Sequence, residues 1–107
     1  MSHSGYSSAV GVFQVLSHEV RLQILDELRK AEACVCHLQL VLGRPQAYVS
    51  QQLRVLRESG LVEDRREGSL VFYRVANKQV EQLLNDMFGP AEEPVCLDNC
   101  PCPLCQR

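Results

Sequence analysis

From Ser8 to Ser17 apolar residues recur three and four positions apart, at Ala9, Val12, Phe13 and Leu16, which predicts a first helix. His18 to Ala31 repeats the rhythm, with Val20, Ile24, Leu25 and Leu28 on one side and Arg21, Asp26, Glu27 and Lys30 on the other. Glu32-Ala33 breaks it. Cys36 to Leu42 reads as a third, brief helix, closed by Gly43, a residue that accepts the left-handed conformation of a helix end. Pro45 suits the first turn of a fourth helix, where its missing N–H costs nothing, and Gly60 terminates that helix after Ser59.

Within the fourth helix the pattern divides. Val49, Leu53 and Leu56 face inward, while Gln46, Ala47, Ser50, Gln51 and Arg54 make an opposite stripe that is small or polar throughout. Helix, short turn and a second helix with such a face is the layout of a helix-turn-helix, whose second helix enters the major groove. The solvated side of an ordinary amphipathic helix carries the same pattern. Arg44 at the turn and Tyr48 at the edge of the stripe complete the candidate DNA-facing set. Two β-prone runs follow, Leu61 to Glu67 and Leu70 to Val75, separated by Gly68-Ser69, a pair that fits a type II′ hairpin turn. Arg65, Arg66 and Arg74 sit on or beside this hairpin, or wing, placed to meet phosphates or to pair with Glu63, Asp64 and Glu67 instead. Asn77, a good N-cap, opens a last helix that buries Val80, Leu83, Leu84 and Met87. The expected fold is therefore mainly α with a β-hairpin wing, a winged helix-turn-helix over residues 1–88. One such core cannot cover the apolar faces of both the first and last helices, which predicts a two-fold homodimer through them. Residues 89–107 read as a linker and a Cys/Pro-rich tail.

Composition narrows the class. A chain of 107 residues, 46% hydrophobic and 22% charged, has the make-up of one soluble globular domain. No apolar run approaches the roughly 18 residues of a membrane span, and Met1 to Gly5 lack the features of a secretory signal, so the expected compartment is the cytoplasm with no membrane partner. The net charge of −2 is unevenly spread: Arg44 to Arg74 holds six arginines against four acids, enough for a local cationic surface. No nucleophile–base–orienter set and no phosphate-cradling glycine loop is present, so neither an enzyme nor a small-molecule substrate is expected.

The six cysteines carry the candidate chemistry. In a reducing compartment clustered thiols bind metal or undergo redox chemistry rather than form staples. Cys96, Cys100, Cys102 and Cys105 fall within ten residues, interleaved with Pro101 and Pro103, and Cys34 and Cys36 lie apart from them. Soft thiolates select Zn(II), Cd(II), Pb(II) and Cu(I) over oxygen-seeking ions.

The stretches "LSHEVRLQILDEL" and "VSQQLRVLRESGLVEDRREGSLVFYRV", with the order of elements around them, resemble the ArsR/SmtB family of metal-sensing repressors from Ser8 to Phe88. "CVCHL", from Cys34 to Leu38, resembles the family's Cys-Val-Cys-Asp-Leu motif. The resemblance implies a repressor of double-stranded operator DNA that dissociates when the thiolates of Cys34 and Cys36 take a soft ion, with As(III) and Sb(III) joining Cd(II), Pb(II) and Zn(II) as candidates. Three departures stand out: His37 replaces the usual Asp, no cysteine precedes Cys34, and the last helix contains no histidine. His37 and His18 are expected to be exposed or capping groups. Further ligands would come from His37 or the tail, with one or two tail thiolates joining Cys34 and Cys36 across the dimer. Alternatively the four tail cysteines close a site of their own. Two rival functions remain: a repressor of the same fold that senses oxidants or reactive sulfur, and a metal-storage or delivery module without a DNA role.

Overall fold

The computed structural model describes residues 3–93. Over that span the chain runs α1 (His3–Leu16), α2 (Glu19–Lys30), β1 (Ala33–Cys34), α3 (Val35–Leu42), α4 (Gln46–Glu58), β2 (Val62–Glu67), β3 (Leu70–Val75) and α5 (Lys78–Phe88). The inward stripes meet in one core. Ile24, Leu25 and Leu28 of α2, Leu38 of α3, Val49, Leu53 and Leu56 of α4, Phe72 of β3, and Val80 and Leu84 of α5 are all buried there. A mainly helical chain with an antiparallel hairpin behind its third and fourth helices is a winged helix-turn-helix, as the pattern predicts.

The first helix starts at His3 rather than Ser8. It carries two apolar stripes, not one. Val12, Val15 and Leu16 pack against the core, while Tyr6, Val10 and Phe13, four and three residues apart, face outward and are more than half exposed. Phe13 and Ala9 belong to the outer side. α5 behaves similarly. The Asn77 side chain accepts a hydrogen bond from the Val80 N–H at 3.0 Å, the expected N-cap, but Met87 is 69% exposed and Leu83 only half-buried because the core ends beneath Val80 and Leu84. Between α1 and α5 lies an open groove of about 660 Å³ lined by Ala9, Val12, Phe13, Val80 and Leu83.

Glu32-Ala33, expected to be a simple break, leads into a strand. Ala33 pairs with Tyr73 and Cys34 with Phe72, so β1 joins the hairpin in a sheet of order β1-β3-β2. Two residues are too few to display alternation, and their partners lie about forty positions further on, so no local pattern marks this strand.

The C-terminal end of α5 is pinned by Arg29 from the end of α2. That side chain is 4% exposed; it donates to Asp26 at 2.7 Å, to the side-chain Oδ1 of Asn85 at 3.0 Å and to the Gly89 backbone carbonyl at 2.8 Å. Among the described residues no helix is long and apolar enough to cross a membrane.

Candidate nucleic-acid interface and the thiol pair

Gly43 closes α3 with φ of 64°, the left-handed cap expected of it, and its N–H and that of Arg44 both return to the Gln39 carbonyl. Pro45 follows as the N-cap of α4, its fixed φ of −61° matched to the turn and its carbonyl accepting from the Val49 N–H at 3.1 Å. Three residues therefore reverse the chain between the two helices of the helix-turn-helix. Gln46, Ala47, Ser50, Gln51 and Arg54 are all exposed on one side of α4, and Val49, Leu53 and Leu56 are buried on the other. Tyr48 is half-buried against the core, with the Arg44 guanidinium 5.8 Å from its ring centroid. No acid occupies the first turn of α4. Its free N–H groups and Arg44 together favour an anion there.

One residue on the buried face was not legible as such. Gln52 is 6% exposed and accepts from Arg21 Nε of α2 at 2.8 Å. A glutamine in a polar-looking run gives no sign that it points inward.

The wing is built as expected from Val62 to Val75, with Glu67 opposite Leu70 and Gly68 at φ of 63°, a left-handed value that glycine adopts without strain. Its arginines differ in what they touch. Arg65 holds Glu32 and Glu67, and Arg74 holds Glu63. Arg66 is exposed with no ion pair among the described residues. The partner of Arg65 was expected among Glu63, Asp64 and Glu67; Glu32, 33 positions earlier, lay outside any local reading. On α4, Arg54 pairs with Glu58 at 3.2 Å, an exposed and readily exchanged contact.

Cys34 and Cys36 are separated by burial. Cys34 is 2% exposed, at once the last residue of β1 and the N-cap of α3, whereas Cys36 is exposed on the first turn of that helix. His37 is 1% exposed, which corrects the expectation of an exposed or capping group. Its Nε2 lies 3.8 Å from Glu27 Oε1, and Glu27 Oε2 accepts from Lys30 Nζ at 2.8 Å. Burial holds the His37 imidazole below its ordinary pKa, against the pull of Glu27. The helix periodicity could have found it, since His37 precedes Leu38 on the inward side of α3. His18 caps α2 through its backbone alone, without a side-chain cap bond, and is half-buried. Among the described residues no three Cys, His, Asp or Glu side chains gather as a metal site. Cys96, Cys100, Cys102 and Cys105 lie outside the described residues.

Comparison with known proteins agrees with this geometry. The pattern of the family described as "Bacterial regulatory protein, arsR family" matches residues 18–64, which span α2, α3, α4 and the start of the wing. The Biofilm growth-associated repressor of Xylella fastidiosa is 39% identical over 82 residues, covering 77% of this chain and 72% of that protein. The chain belongs to the arsR family. With that membership comes the coarse function of a DNA-binding transcriptional repressor. The Arsenical resistance operon repressor of Escherichia coli is 43% identical over 70 residues, 63% of this chain and 58% of that one. Among solved structures, the homodimeric winged helix-turn-helix DNA-binding domain Mb0332 from Mycobacterium bovis superposes with a TM-score of 0.73 at 32% identity, covering 81% of this chain and 83% of that one.

Proposed function

We propose that this arsR-family repressor is a homodimer that leaves its operator when Cys34 and Cys36 capture a soft metal or metalloid ion. The observation that carries the reading is the position of Cys34. It ends the strand that pairs with the wing and caps the helix that leads into α4, so a pull on its sulfur acts on both DNA-facing elements.

The donor set fits a thiophilic ion in kind and falls short in number. Two thiolates one residue apart are available, one exposed and one in the core. Both can grip a single ion only if the first turn of α3 opens and Cys34 leaves the core. Further sulfur ligands then come from the tail cysteines. Soft thiolates favour As(III), Sb(III), Cd(II), Pb(II) or Zn(II). Kinship with the arsenical repressor of Escherichia coli supports the first of these.

An ion that needs an opened α3 start binds the free repressor better than the DNA-bound one. By linkage it weakens DNA binding by the same factor, typically 5–150-fold. α4 supplies the groove-reading face through Gln46, Ala47, Ser50, Gln51 and Arg54. Arg44 and Tyr48 stand at its entry, and the wing adds cationic reach from its arginines. Two copies joined across α1 and α5 would present two such helices to half-sites about one turn of DNA apart, the homodimeric state of Mb0332 being consistent with this.

The test is ion titration under reducing conditions, with retention on the chain's own promoter read by gel shift. Native chain is expected to release the duplex, and Cys34→Ser and Cys36→Ser to bind the ion more weakly and stay on DNA. Unchanged affinity and stoichiometry in both variants would reject the thiol assignment. Release only by oxidant would transfer the reading to thiol redox.

A further inference from the structure

Residues opposite one another on paired antiparallel strands share a face. Glu63, Arg65 and Glu67 of β2 therefore lie with Arg74, Phe72 and Leu70 of β3, and Asp64 and Arg66 lie on the reverse with Tyr73 and Val71. On the first face the guanidinium of Arg65 is fully engaged. Its Nε and Nη2 donate to the two oxygens of Glu32 as a fork, Nη1 donates to Glu67 Oε2 at 2.6 Å, and the group lies 4.9 Å from the Phe72 ring centroid. Phe72 is the Cα partner of Cys34 in β1 and is 2% exposed. Arg65 thus crosses over β3 to reach the residue that precedes β1, and one side chain links the hairpin to the entry of the third strand.

The same face is poor ground for phosphate. Arg65 and Arg74 there are matched by three carboxylates, Glu32, Glu63 and Glu67, leaving one negative charge in excess. Arg65 favours the ionised form of Glu32, holding its pKa below the ordinary value. A phosphate approaching Arg65 must displace a bidentate carboxylate. Arg66, on the reverse face, is exposed without such a rival among the described residues.

We infer that Arg65 is a positioning residue and not a phosphate ligand: strapped over Phe72 to Glu32, it fixes the angle of the wing to β1, while Arg66 takes the wing's phosphate. This rests on the DNA-binding reading above and divides the work of the wing within it.

Glu32→Ala, Arg65→Ala, their double variant and Arg66→Ala should be compared by anisotropy on a duplex carrying the chain's own promoter, between 50 and 200 mM salt. The two single strap variants are expected to weaken specific binding by the same several-fold factor, with no further loss in the double and an unchanged salt slope. Arg66→Ala is expected to lower the slope of log affinity against log salt by about 0.9 per copy bound. A fall of that size in Arg65→Ala, or tighter specific binding by Glu32→Ala, overturns the assignment. If the native chain itself bound no promoter, the DNA reading would fail separately. Hydrogen exchange of the hairpin amides without DNA still decides the strap. Exchange is expected to quicken alike in both single variants and no further in the double; unchanged exchange overturns it.

Discussion

Arg21 of α2 donates from Nε to the buried Oε1 of Gln52 on α4 at 2.8 Å, and its Nη1 reaches the Val15 carbonyl of α1 at 3.4 Å. α4 is thereby tied to α2 and to the end of α1, whose outer stripe is apolar. Arg21→Ala leaves Gln52 without its donor inside the core. A cost of about 1–3 kcal/mol is expected, read as a lower urea midpoint with an unchanged m-value. Gln52→Leu, which removes the buried amide with its partner, is expected to lose less than Arg21→Ala.

The two thiols of α3 should differ in reactivity. Cys36 is exposed and Cys34 sits in the core, so a thiol reagent is expected to modify Cys36 at the rate of a free thiol and Cys34 only as fast as the helix start opens. Peptide mapping after timed labelling distinguishes them. Cys34→Ser, which buries a hydroxyl in place of sulfur, is expected to cost about 1–3 kcal/mol. Cys36→Ser should fall within about 0.5 kcal/mol of native stability. Cys36→Ser is therefore the cleaner variant for ion binding.

Phe13, 55% exposed on the outer stripe of α1 beside the groove to α5, is the test of assembly. Phe13→Glu places a charge on that stripe without touching the core. Sedimentation is expected to show a folded monomer for the variant and a dimer for the native chain. Operator affinity is expected to fall by about 10²-fold or more as the second half-site is lost.

Arg29→Ala removes three contacts at once, to Asp26, Asn85 and the Gly89 carbonyl. Because the charged donor is buried, a loss of about 1.5–3 kcal/mol is expected. It should be concentrated in α5, whose amides are expected to exchange faster while those of α2 and α4 change little.

Much of this architecture is written locally. Gly43 and Pro45 mark the turn of the helix-turn-helix, Asn77 the start of α5, and Gly68 the tip of the wing. The period of Val49, Leu53 and Leu56 separates the exposed face of α4 from its core face. What escaped the sequence depends on partners far along the chain. β1 exists because Phe72 and Tyr73 pair with it, Glu32 matters because Arg65 crosses the sheet to reach it, and Gln52 is inward because Arg21 meets it there. The buried state of His37 had a nearer cue in its place beside Leu38, but a titratable side chain near a helix start reads more readily as an exposed or capping group than as core. The outer stripe of Tyr6, Val10 and Phe13 was blurred by the overlap of two apolar faces on one short helix.

The helix that begins at Cys34 does so without a side-chain cap, since the N-cap position is occupied by sulfur. A conventional cap would make that end about 1 kcal/mol firmer. In the proposed sensor this sets a detection threshold: every 1.4 kcal/mol needed to open the end raises tenfold the ion concentration at which the repressor responds. On that proposal the uncapped first turn would let a scarce ion be sensed, and reinforcing it would trade sensitivity for rigidity.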